Sequence, residues 1–169
     1  MINLENTELR EALENRICAN KDIATHPKVL SEIEGHTIDI EMETSNLEDD
    51  EDFNCVMYAF NVRLVNPTSP TGRYYIGTLC LKRLIDSGHL KLLNTNQPPE
   101  KTYAIYFNND KVSHIGVVSS NGYILSKWGM GNLYKHLPEQ VPLSYGDTVK
   151  FYEAIDNDVA MDFFKGNCR

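Results

Sequence analysis

The sequence predicts an α+β fold in which helices come first and an antiparallel sheet follows. Three observations carry the prediction. Apolar residues at helical spacing dominate the first half of the chain, strand-forming runs take over from Thr102, and Asn121-Gly122 lies between two of those runs. At 169 residues the chain reads as a single domain, long enough to bury a core without staples.

The elements follow in order. Leu9, Ala12, Leu13 and Ile17 predict an amphipathic helix over Asn6 to Ala19. Thr25-His26-Pro27 breaks it, because the residue before proline is pushed out of helical conformation. A shorter helix is expected from Lys28 to Glu34, ending at Gly35, and period-two alternation over Thr37 to Met42 predicts a strand. Residues 1–45 thus read as a helical extension packed on a core spanning 51–152. The acidic run Glu48 to Asp52 reads either as a solvated loop or as charge favouring the start of the next helix. That helix is expected over Phe53 to Leu64, apolar on most sides, and another over Thr78 to His89; the Pro- and Gly-containing stretches 66–72 and 94–100 are loops. Strands are expected over Thr102 to Phe107, Val112 to Ser119, Tyr123 to Trp128 and Thr148 to Tyr152, with a short terminal helix beyond Asp156. Helices first and a meandering sheet second argue for α+β with antiparallel pairing.

Composition removes several function classes. Twenty-four acidic residues against 16 basic ones give a net charge of −8, so the basic stripe that neutralises phosphates is missing, and neither nucleic acid nor an anionic membrane surface is expected as a partner. No stretch approaches the roughly 18–20 apolar residues of a membrane span. Met1 to Glu5 carry an acidic group and no basic one, so the expectation is a cytoplasmic protein, or one exported without a recognisable signal peptide. Phosphate-loop and HExxH patterns are absent, and no metal or cofactor is expected. The four cysteines, Cys18, Cys55, Cys80 and Cys168, are widely separated and are expected to be reduced, three of them as small buried hydrophobes.

Cys55 is different because of where it falls. Asp52-Phe53-Asn54-Cys55 opens a helix, and Val112-Ser113-His114-Ile115-Gly116 opens a strand. A helix N-terminus offers backbone N–H groups and the positive end of a dipole to a thiolate. A histidine within reach takes the thiol proton and returns it to a leaving group, and the same N–H groups can hold an acyl oxyanion. Asn54 could polarise a substrate oxygen or cap the helix, Tyr58 could line a cleft or join the core, and Trp128 is a hairpin anchor or a groove wall. His26, His36 and His89 carry no argument for function and are expected at the surface or at caps.

This order of cysteine helix, second helix, strand, histidine strand and Asn-Gly hairpin resembles the core of the papain-like NlpC-type cysteine hydrolases. Asn54 to Phe60 is similar to the family's cysteine segment, Tyr103 to Phe107 to the strand before the histidine, and His114 to Gly122 to the histidine strand and turn. The resemblance spans about Glu51 to Tyr152. Ser126-Lys127-Trp128-Gly129, followed by His136, also resembles small, poorly characterised bacterial papain-like proteins. The resemblance implies a Cys55–His114 pair acting on an amide carbonyl of a peptide, peptidoglycan or protein, without cofactor. The family's spacing puts the third position on Ser126, where His, Asn, Asp or Glu is usual. A serine accepts a hydrogen bond but carries no charge for an imidazolium, so His136 is the alternative orienting group. Two other readings stay open: a papain-like binding module with a weak or lost site, and a thiol acyltransferase.

Overall fold

The computed structural model describes residues 1–33, 39–43, 54–65, 73–128 and 132–168, with 64–65 and 73–74 described as backbone. The architecture is α+β, with an open antiparallel sheet and helices on it.

Strand β1 (Ile2–Asn3) leads to α1 (Thr7–Leu13), which Asn6 opens by accepting the Leu9 N–H at 3.3 Å. The expected single helix over 6–19 is in fact α1 plus a π-helical turn over Glu14–Cys18. Helix α2 (His26–Glu32) starts earlier than Lys28, because Pro27 falls in its first turn, where a missing N–H breaks no ladder. Strand β2 (Glu41–Glu43) follows. Helix α3 (Cys55–Ala59) is much shorter than the predicted 53–64. Asn61 turns left-handed (φ 49°) and the Val62 N–H reaches back to the Met57 carbonyl at 3.0 Å, closing the helix with a six-to-one bond. Then come the two-stranded ribbon β3 (Leu64–Val65) and β4 (Arg73–Tyr74), α4 (Thr78–Asp86), β5 (Leu92–Leu93), β6 (Tyr103–Asn108), β7 (Lys111–Val118), β8 (Ile124–Lys127), β9 (Leu133–His136), β10 (Thr148–Tyr152) and α5 (Asn157–Asn167).

The main sheet runs β1-β10-β6-β7-β8-β9-β2, with β5 also on β10, and every pairing is antiparallel. The Asn121-Gly122 turn joins β7 to β8 as expected, both residues at positive φ. The N-terminal region is more than a helical extension, since β1 pairs with β10 and β2 with β9. Glu48 to Asp52 lie outside the described residues, as does His36.

Each face of the sheet is covered. Val56, Phe60, Leu81, Leu84 and Phe164, from α3, α4, α5 and the Phe60 turn, pack on Tyr103, Ile105 and Ile115. On the opposite face Leu4, Val141 and Phe151 surround Ala104 and Tyr106, and Leu9, Leu13, Ile17 and Leu30 pack against Trp128 and Tyr134.

Two expectations about polar residues change here. Cys80 of α4 and Cys168 just past α5 form a disulfide, where reduced thiols were expected. Packing of α5 on α4 brings their Cα atoms to 5.8 Å, a spacing a bridge requires and sequence separation conceals. His26 is buried rather than at the surface, with Nε2 donating to the Asn20 carbonyl at 2.9 Å and Nδ1 accepting from the Tyr134 hydroxyl. Among the described residues no helix is long and apolar enough to cross a membrane.

Candidate functional site

Asn54 positions Cys55. Its Oδ1 accepts the Val56 and Met57 N–H groups, each at 3.1 Å, and its Nδ2 donates to the Ile76 carbonyl at 3.0 Å, so Asn54 fills the capping alternative. Cys55 therefore stands at the first position of α3. It is 8% exposed, and its sulfur faces the N–H groups of Ile115, Val56 and Cys55 itself. Burial pushes the thiol up to about 11 against the pull of those donors.

His114 is the immediate neighbour of Ile115, on β7. An irregularity in the β6–β7 pairing leaves Ser113 as an extra residue, so that Val112 faces Phe107 while His114 faces Tyr106. Consecutive strand residues point to opposite faces. The Ile115 side chain thus joins the α3 side of the core and the His114 ring lies with Tyr106 on the other face. The Cys55 sulfur meets β7 at the Ile115 N–H and lies within electrostatic reach of the Tyr145 that stacks on His114. Burial, then the proximity of His136, holds the His114 imidazole well below its ordinary range. Its Nε2 is buried without a hydrogen-bond partner among the described residues.

Ser126 and His136 are brought together with each other. Trp128 Nε1 donates to Ser126 Oγ at 3.1 Å, Ser126 Oγ lies 2.8 Å from His136 Nε2, and His136 Nδ1 lies 2.7 Å from the Leu137 carbonyl. With the proton on Nδ1, every member of this chain is satisfied: indole to hydroxyl, hydroxyl to Nε2, Nδ1 to carbonyl. Burial lowers His136 to about 4, opposed by that carbonyl. Neither Ser126 nor His136 is hydrogen-bonded to His114, so the expected orienting role is not what their geometry displays. Gly116 permits the arrangement, since a Cβ there would stand 2.8 Å from Ser126 Cβ. Tyr58 is half-buried against the α3 side of the core.

Tyr145 is the residue the sequence did not announce. Its ring stacks on His114 with centroids 3.9 Å apart and planes 14° apart, and its hydroxyl lies within electrostatic reach of both Cys18 and Cys55, bonding Cys18. The segment that carries it is held from several sides. Arg10, 3% exposed, donates to the carbonyls of Val141 (3.2 Å), Leu143 (3.4 Å), Leu4 (3.5 Å) and Gly146. Glu14 accepts from Ser144 N at 3.1 Å and Oγ at 2.6 Å, and the Ser113 hydroxyl donates to the Tyr145 carbonyl. Gly146 is obligatory at φ 116°, where a Cβ would drive into the Phe107 backbone. Outside Tyr145 lies a cleft of about 410 Å³, walled by Trp128, Tyr134, His26, Cys18 and Lys21. Trp128 is thus both anchor and wall, stacked on Tyr134 at 4.2 Å. Tyr145 separates this cleft from the Cys55 and His114 side chains. Among the described residues no cluster of metal-ligating side chains is present.

A family model described as "Domain of unknown function (DUF7689)" matches residues 44–153, a span that contains Cys55, His114, Ser126, His136 and Tyr145. No curated protein and no solved structure matches the chain.

Proposed function

The chain belongs to the DUF7689 domain family, and we propose that its site performs thiol chemistry: Cys55 attacks an amide carbonyl of a peptide or protein, with His114 as general base and then acid. The observation that carries this reading is the Cys55 sulfur at the mouth of α3, faced by the N–H groups of Ile115, Val56 and Cys55, with the buried His114 next to Ile115 on β7 and Tyr145 against both the imidazole and the thiol. Both groups are neutral at rest, because burial raises the thiol and lowers the imidazole. His114 therefore removes the thiol proton as sulfur bonds to carbon, rather than beforehand. The C–N bond breaks, the amine leaves with the proton His114 held, and water then releases the acid from the thioester. The backbone donors that face sulfur are also placed to hold the oxyanion. Peptidoglycan peptides and side-chain amides are substrates of the same chemistry. The papain-like likeness of the sequence supports the reading, and the Cys80–Cys168 bridge favours an oxidising compartment, hence export, over the cytoplasm.

The test is mass spectrometry of the intact protein after incubation with activated acyl esters and peptide amides. Acylation confined to Cys55, lost in Cys55→Ala and slowed at least tenfold in His114→Ala, is the expected result. Acylation that falls on Cys18 instead, or none on any cysteine, overturns it.

A binding module that keeps the fold without turnover is the second reading. It is favoured by the engagement of Ser126 with Trp128 and His136, which leaves His114 without a third side chain among the described residues.

A further inference from the structure

Tyr106 and His114 are partners in the β6–β7 register, so their side chains leave the sheet on the same face. Their ring centroids are 5.5 Å apart at 46°, and the residues are 0% and 1% exposed. The Tyr106 hydroxyl and His114 Nε2 are the two buried side-chain polar atoms without a hydrogen-bond partner among the described residues. Two such atoms on facing residues is not the expected outcome of folding, since buried polar groups are almost always satisfied and an orphan is costly. No nearby protein group among the described residues hydrogen-bonds either atom. Ser126 and His136 bond to each other, and the Tyr145 ring covers the imidazole face. Of the two charges that act on Tyr106, Glu139 makes no hydrogen bond to its hydroxyl and Arg10 donates to backbone carbonyls. No direct hydrogen bond joins the two atoms, and two buried, unsatisfied polar atoms on facing residues are the setting in which an ordered water bridges.

We propose that Tyr106 and His114 form a buried site for a single water molecule, and that this water positions the His114 imidazole in place of a third side chain. The site rests on the orphaned atoms alone; the positioning role rests on the thiol reading above. The water accepts the Nε2 proton and bonds the Tyr106 hydroxyl. That fixes the imidazole in its Nε2–H tautomer and leaves Nδ1 bare to act as the base. Tyr106 is then a positioning residue that acts through the water, never touching substrate.

The experiment compares the full chain with Tyr106→Phe, a change that removes one oxygen and keeps the ring. A hydroxyl with no partner is removed at no loss, so the melting midpoint would hold or rise. A bridged hydroxyl predicts a midpoint lowered by about 3 °C. Ring nitrogen-15 NMR of His114 is expected to report the Nε2–H tautomer in the parent chain and a mixture in Tyr106→Phe. A high-resolution crystal structure of the parent chain is expected to show density within hydrogen-bond distance of both atoms. An unchanged or raised midpoint, or no density there, overturns the site; an unmoved tautomer overturns the positioning role. None of these readouts depends on acylation of Cys55, so failure of the thiol chemistry is separately visible.

Discussion

The Tyr145 ring lies flat on the His114 imidazole, 3.9 Å between centroids, while its hydroxyl reaches towards both Cys18 and Cys55. One side chain thus covers the histidine and stands between the thiol and the outer cleft. Removing it in Tyr145→Ala is expected to raise the alkylation rate of Cys55 by iodoacetamide at least tenfold. Unfolding midpoints of both proteins identify general loosening, and Cys80→Ser/Cys168→Ser controls exclude label on the bridge thiols. An unchanged rate with the fold intact would show that Tyr145 does not limit access.

The intrinsic reactivity of Cys55 follows from its burial. With the thiol pushed up to about 11, roughly one molecule in ten thousand carries thiolate at pH 7, against a few per cent for an ordinary cysteine. Alkylation measured from pH 7 to 10 is expected to climb close to tenfold per pH unit without a plateau. A plateau near pH 8 would mean an open, unperturbed thiol.

Stability should fall in mild acid. His114 and His136 are held neutral by burial, so their folded values lie below the ordinary histidine value near 6.5. Between that value and about 4 the unfolded chain binds protons that folded His136 refuses, and stability is lost as pH drops through this window. A displacement from 6.5 to about 4 corresponds to about 3 kcal/mol from His136 alone. Urea midpoints at pH 7.5 and 4.5 measure the loss, and His136→Gln is expected to show a flatter dependence.

The cap on α3 is a separate lever. Asn54→Ala leaves the Val56 and Met57 N–H groups without their acceptor and the Ile76 carbonyl without its donor. A cost of about 1–2 kcal/mol is expected from chemical denaturation, together with faster hydrogen exchange at Val56 and Met57. Asn54→Asp, which keeps the acceptor, should recover part of it.

Breaking the Cys80–Cys168 bridge frees an 88-residue separation in the unfolded chain. The chain-entropy limit for a loop of that size is about 4–5 kcal/mol. Denaturation with and without reductant measures it, and Cys80→Ser/Cys168→Ser should behave like the reduced protein.

The hairpin at Asn121-Gly122, the β6 run and the helix that Cys55 opens were legible because each signal is local: a turn dipeptide, a strand-forming run, a cap residue before an apolar segment. The residues around the site were less so. Tyr145 sits in a Pro-Leu-Ser-Tyr-Gly turn with no periodicity, and its partners lie at His114 and Cys18. Arg10 reads as a solvent-facing arginine on an amphipathic helix, yet its acceptors are mainly carbonyls more than 130 positions away. Strand β9 was missed because Leu133-Tyr134-Lys135-His136 is short and half polar, and becomes a strand by pairing with β8 and β2. The early end of α3 depends on a left-handed Asn61, a choice of backbone that hydrophobic spacing does not encode.

The contacts from Arg10 and Glu14 to the 141–146 segment bear on how the protein is cut for study. Both residues precede position 44, where the family match begins, while the carbonyls and the serine they hold lie inside it. A fragment trimmed to the matched borders would keep Cys55, His114 and Tyr145 but discard the anchors that seat the tyrosine, along with the strands flanking β10 and β9. Such a fragment would present an ungoverned cysteine, and assays on it would describe a different object from the intact chain.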